Sequence, residues 1–155
     1  MAWVNVCLKG AFCNLATVHI FIVDDSEPWR RAVRSLLQRD KDLEVICEGS
    51  DGLEAVQKSA ELQPDLVLLD IGLPNLNGME AARQIRKVSP GSKIIFLTSH
   101  DSPELVQEAL RIGALGFVIK SDAASDLLRA VRAVIRNQRF VPQRLCSIPW
   151  MIQDA

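Results

Sequence analysis

LVLLDIGLPNLNGME, residues 66–80, is the stretch on which the fold turns. Its first four residues, Leu66 to Leu69, form a nearly continuous run of branched apolar side chains, the signature of a strand covered on both faces. The run ends on Asp70, and a few residues further on Met79, Ala82 and Ile85 fall on one face at helical spacing. A strand followed by a helix is thus written into residues 66–85.

The same unit recurs on either side. Further apolar runs are Val18 to Val23, Leu43 to Cys47, Lys93 to Leu97 and Gly116 to Ile119, of which Leu43 to Cys47 alternates as an edge strand does. Helical stripes lie between and after them: Trp29, Ala32, Val33, Leu36 and Leu37; Leu53, Val56 and Ala60; Leu105, Val106, Ala109 and Leu110; and Leu127, Leu128, Val131, Val134 and Ile135. Asp101, Ser102 and Pro103 open the fourth helix as a cap and Gly113 closes it. Right-handed crossovers turn such a string into one α/β domain, a doubly wound (βα)5 parallel sheet of flavodoxin-like strand order 2-1-3-4-5. The domain is expected over 18–141, with an N-terminal extension at 1–17 and a C-terminal tail at 142–155.

Bulk composition sets outer limits. The chain has 155 residues, 48% hydrophobic and 24% charged, with a formal net charge of -1. That size supports a core without staples, so Cys7, Cys13, Cys47 and Cys146 need not pair, and their scatter with only His19 and His100 offers no zinc spacing. Lys and Arg are spread along the chain, which argues against direct nucleic-acid binding. No apolar run approaches the roughly 20 residues of a membrane span, and the N-terminus lacks a signal peptide pattern, so a cytoplasmic location is expected.

In an open parallel sheet the binding crevice lies beyond the carboxyl ends of the strands. The residues there are Asp24 and Asp25 after the first strand, Asp70 after the third, Thr98 and Ser99 after the fourth, and Lys120 after the fifth. Three carboxylates at one place repel each other unless a cation joins them, and Mg2+, which prefers oxygen ligands and phosphoryl groups, suits them. Asp70, at the end of the central strand, is the candidate nucleophile for an acyl phosphate. Lys120 would place a positive charge on one phosphoryl oxygen and Thr98 a hydroxyl on another.

From Val18 to about Pro142 the chain resembles response regulator receiver domains. The resemblance rests on IVDDSEP, LVLLDIGLPNLNGME, IIFLTSH and GALGFVIKSD, four motifs in the right order at strand ends. It implies that a sensor histidine kinase phosphorylates Asp70 and that the chain is a switch whose only catalysis is its own phosphotransfer and dephosphorylation. It further implies that Asp25, Asp70 and the Gly72 carbonyl ligate Mg2+, with Asp24 acting mainly through water. Phe117 occupies the switch-aromatic position, which together with Thr98 reports phosphorylation to the surface of the fourth helix, fifth strand and fifth helix. The phrase GALGFVIKSDAASDLLRAVRAV is similar to receivers that precede LuxR-type helix-turn-helix domains, which implies an output in transcription and allows a homodimer. Only 19 residues follow Arg136 (155 minus 136), fewer than the roughly 50 of an independent domain, so the chain is expected to be a stand-alone receiver or a piece of a DNA-binding regulator.

Three departures bear on function. Ser121 stands where the family often has a proline in a cis bond, and a cis bond is not expected here. Gly72 and His100 stand where family side chains tune dephosphorylation, and neither is the common acidic or amide choice. A phosphohydrolase of haloacid dehalogenase type would need an acid two residues after the nucleophile, where Gly72 stands. A flavodoxin-type FMN carrier would suffer repulsion between Asp24, Asp25 and the flavin phosphate.

Overall fold

The computed structural model describes residues 16–145, and the expectations for Cys7, Cys13 and Cys146 lie outside them. Five strands, β1 (Val18–Val23), β2 (Leu43–Gly49), β3 (Leu66–Asp70), β4 (Lys93–Thr98) and β5 (Gly116–Ile119), form one parallel sheet in the order β2-β1-β3-β4-β5. Helices α1 (Glu27–Leu37), α2 (Gly52–Leu62), α3 (Gly78–Val88), α4 (Pro103–Ile112) and α5 (Ala123–Ile135) alternate with them. Strand alternation divides the core into two clusters. Phe21, Val23, Val67, Leu69, Phe96 and Phe117 pack with α2, α3 and α4, whereas Ile20, Ile22, Leu66, Leu68, Ile95 and Val118 pack with α1 and α5. Both faces of β3 are apolar because both are covered.

Capping fixes where each helix leaves the sheet. Ser26, Asp51, Asn77 and Ser102 accept from the backbone N–H three residues on, at α1, α2, α3 and α4 respectively. Gly113 ends α4 in the left-handed region at φ 110°, as its position after the apolar stripe suggests. No cis peptide bond occurs among the described residues, and Lys120–Asp122 makes one 3-10 turn into α5.

The stripe expected for α2 is wrong. Leu53 is 56% exposed and Ala60 is exposed as well, while Gly52, Ala55 and Ser59 are buried and Val56 is half-buried. The reason is distance. A Cβ on Gly52 would stand 1.8 Å from the Leu76 carbonyl oxygen, so α2 approaches the loop after β3 closely and only a face of small residues fits. In α1, Val33 and Leu37 are buried as expected, but Ala32 is exposed.

Beyond α5 the chain returns to the sheet. Phe140 donates its N–H to the Leu115 carbonyl, and its own carbonyl accepts from the Phe117 N–H, each at 2.9 Å, making a parallel bridge with Gly116. Arg129 lies over the Phe140 ring, Arg144 pairs with Asp122 at 3.1 Å, and Leu145 is buried in the core. This short arm covers the outer edge of β5, a position that strand edges otherwise leave open to other chains.

Candidate functional site

Three strand ends bring charged side chains together in one crevice. β1 ends one residue before Asp24, β3 ends on Asp70, and Lys120 follows β5 directly. Oxygens of Asp24, Asp25 and Asp70 all lie within 4.8 Å of one another. Lys120 reaches in from the other side, its Nζ donating to Asp24 Oδ2 at 2.5 Å and standing 3.6 Å from Asp70 Oδ2. Asp24 and Asp70 are buried and Asp25 is exposed, so the cluster opens to solvent through Asp25.

Backbone groups hold the acids in place. Asp24 Oδ1 accepts from the Ser26 N–H at 2.8 Å, and the Asp24 carbonyl accepts from Arg30 Nη1 at 2.6 Å. The backbone N–H groups of Gly72 and Ile71 favour the charged form of the Asp70 carboxylate. Gly78 packs directly beneath, its N–H donating to the Ile71 carbonyl at 2.8 Å.

Burial pushes the Asp70 carboxyl above the usual carboxylate range; the Lys120 charge opposes that shift, the Asp24 charge adds to it, and the two backbone donors oppose it. The folded chain therefore holds a proton on Asp70 more readily than the unfolded chain does. Stability accordingly falls as pH rises from the ordinary carboxylate value through the raised one, and stays lowered above it. In metal-free protein at neutral pH, Asp70→Asn should raise the melting temperature by about 2–5 °C, corresponding to something on the order of 1 kcal/mol. The difference should shrink as pH is lowered through that window, and an equal difference at all pH would contradict the cause given.

Thr98 ends β4, one residue beyond the strand partner of Asp70, and Phe117 lies within β5. Thr98 is 2% exposed, and its hydroxyl oxygen accepts from the His100 N–H at 3.2 Å. Phe117 is fully buried, and the N–H it donates to Phe140 connects it to the arm on the β5 edge. Gly72 and His100 are exposed at the rim. Trp29, read in the sequence only as part of the α1 stripe, lies with its ring 5.2 Å from Lys120 Nζ. An aromatic four residues after Asp25 was the available signal, but core packing accounts for such a residue equally well. Three carboxylates with oxygens this close fit a hard divalent cation, with Asp25 leaving room for water ligands.

A doubly wound sheet of this order with an acidic crevice at its carboxyl end defines a receiver module of CheY-like fold. The chain belongs to the response regulator receiver domain family, whose model matches residues 20–132. Response regulator protein VraR of Staphylococcus aureus is 38% identical over 133 residues, covering 85% of this chain and 64% of VraR, so the chain spans just under two thirds of that relative. Among solved structures, a LuxR-family two-component response regulator from Aurantimonas sp. SI85-9A1 is 29% identical with a TM-score of 0.81, covering 90% of this chain and 98% of that one. The response regulator domain of Thermotoga maritima CheB is 32% identical with a TM-score of 0.72, covering 77% of this chain and 97% of that one. No helix among the described residues is long and apolar enough to cross a membrane.

Proposed function

We propose that this receiver accepts a phosphoryl group on Asp70 from a phosphohistidine of a sensor histidine kinase, in the presence of Mg2+. The observation that carries the reading is the convergence of Asp24, Asp25 and Asp70 within 4.8 Å, with Lys120 Nζ 3.6 Å from Asp70. An oxygen of Asp70 forms a bond to phosphorus as the P–N bond of the donor breaks, and the electron pair leaves with the imidazole. Lys120 turns from Asp24 toward a phosphoryl oxygen, and the Thr98 hydroxyl donates to another. Asp25, Asp70 and the Gly72 carbonyl would hold Mg2+ directly and Asp24 through water; bound there, the ion neutralises the phosphoryl oxygens and the acids around them.

The proposed switch is the pair Thr98 and Phe117. Drawing the Thr98 hydroxyl toward the phosphoryl group changes the space available to Phe117, which lies beside the α4, β5 and α5 surface. The chain acts on no external substrate beyond its phosphodonor: Gly72 supplies no acid to protonate a leaving group. Its setting is the cytoplasm and its output transcription, as the LuxR-family relatives suggest, with a second copy of the chain as a partner and no direct contact to nucleic acid from the receiver itself. The receiver spans 18–141 in this reading, to which the docked arm through Leu145 is added.

Incubation with acetyl phosphate and Mg2+, read by intact mass, tests the proposal. The protein should gain one phosphoryl group, Asp70→Asn none, and chelation of Mg2+ should stop the gain. Equal gain by wild type and Asp70→Asn would overturn it.

A further inference from the structure

Trp29 stands in the first turn of α1, where its backbone N–H donates to the Ser26 hydroxyl at 3.3 Å. Its indole face lies against the Lys120 ammonium at 5.2 Å. That ammonium carries three donors. One meets Asp24 Oδ2 at 2.5 Å, and Asp70 Oδ2 lies 3.6 Å away, so two carboxylates and one aromatic face surround the charge. The Lys120 side chain is only 18% exposed, and a cation against an aromatic face is held more strongly the less water reaches it. The indole Nε1 is buried and has no hydrogen-bond partner among the described residues. Trp29 also packs against the core beside α1, but a buried donor left unpaired is unfavourable, and an apolar residue would make that packing without it.

We propose that Trp29 is a positioning residue for phosphoryl transfer, its ring fixing the Lys120 ammonium beside Asp70 so that the charge is in place when a phosphoryl oxygen arrives. The inference rests on the reading of Asp70 as acceptor. A lysine carries its charge on a flexible four-carbon stem, and one carboxylate contact leaves that stem free to swing. Asp24 sets how far the ammonium reaches, and the indole closes the side on which it would otherwise escape. When Lys120 leaves Asp24 for a phosphoryl oxygen, the ring remains as the fixed wall along which the charge moves.

The test compares the full chain with Trp29→Phe, which keeps an aromatic face, Trp29→Leu, which does not, and Val33→Ala, a change to a buried core residue of the same helix. Phosphoryl gain from acetyl phosphate and Mg2+ should slow about three- to thirty-fold in Trp29→Leu. Trp29→Phe should stay within about threefold of wild type, and Val33→Ala should match wild type below its melting transition. A second readout needs no phosphodonor: the Lys120 ε-methylene protons should be shifted upfield by the ring in wild type and in Trp29→Phe, and return toward random-coil values in Trp29→Leu. Wild-type rates in Trp29→Leu, equal slowing in Val33→Ala, or an unshifted Lys120 signal in wild type would each overturn the inference. The last outcome decides even if Trp29→Leu fails to fold. If wild type gains no phosphoryl group, the acceptor reading of Asp70 fails, and the methylene shift still judges the contact.

Discussion

Replacing Lys120 with methionine should lower the stability of the metal-free protein at neutral pH by about 3–5 kcal/mol, the loss typical of removing one partner from a buried ionic cluster. Asp24, with a side chain 2% exposed, and Asp70, at 11%, would be left facing each other with no positive charge between them. Two signatures separate this cause from lost packing. Lys120 is what restrains the upward pull of burial on Asp70, so the variant should recover stability on acidification over a wider pH range than wild type. Added Mg2+ should also raise the melting temperature of Lys120→Met more than that of wild type, because an ion joining three carboxylates supplies the missing charge. Phosphoryl gain should fall by about 10²-fold or more even where the variant is folded. A stability change below about 1 kcal/mol, with no dependence on Mg2+, would show that the ammonium does not hold the crevice together.

The second large effect is predicted at a glycine. A Cβ on Gly78 would lie 2.0 Å from the Asp70 carbonyl oxygen and 2.7 Å from the Ile71 Cα, both backbone atoms that no rotamer change can move aside. Gly78→Ala should therefore cost about 2–4 kcal/mol, displace the Asp70 main chain and abolish phosphoryl acceptance. Gly72 is the matched control in the same loop. Apart from its chain neighbours, nothing among the described residues lies within 4 Å of a Cβ placed there, and Gly72→Ala should change stability by no more than about 0.5 kcal/mol in urea denaturation. Equal effects at the two positions would contradict the packing described for the loop after β3.

Those two glycines mark where reading the sequence stops. Both stand in LVLLDIGLPNLNGME, and nothing in their local pattern says which one touches backbone, because the contact is made only when α3 folds back under β3. The strands themselves are legible, since residues covered on both faces must be apolar without interruption; the alternation expected of the edge strand β2 is absent, because Val45, Ile46 and Cys47 are all half-buried. Strand ends then bring Asp24, Asp25, Asp70 and Lys120 to one crevice through topology alone. The stripe of α2 misleads for the opposite reason: close approach favours Gly52, Ala55 and Ser59 over the larger Leu53, which a hydrophobicity pattern ranks first. The docking of Phe140 on β5 is made by main-chain bonds, which leave no side-chain signature. The Trp29 to Lys120 contact joins residues far apart in the chain, and an aromatic in an amphipathic helix looks the same whether it faces core or crevice.

The proposed function rests on one atom, the Asp70 carboxylate oxygen expected to bond to phosphorus. Borohydride reduction of protein treated with acetyl phosphate and Mg2+, followed by peptide mapping, reads it directly, because an aspartyl phosphate is reduced to homoserine. Homoserine is expected at position 70 and at no other aspartate. Homoserine at Asp24 or Asp25, or a phosphoryl group carried by His19 or His100 with Asp70 intact, would contradict it.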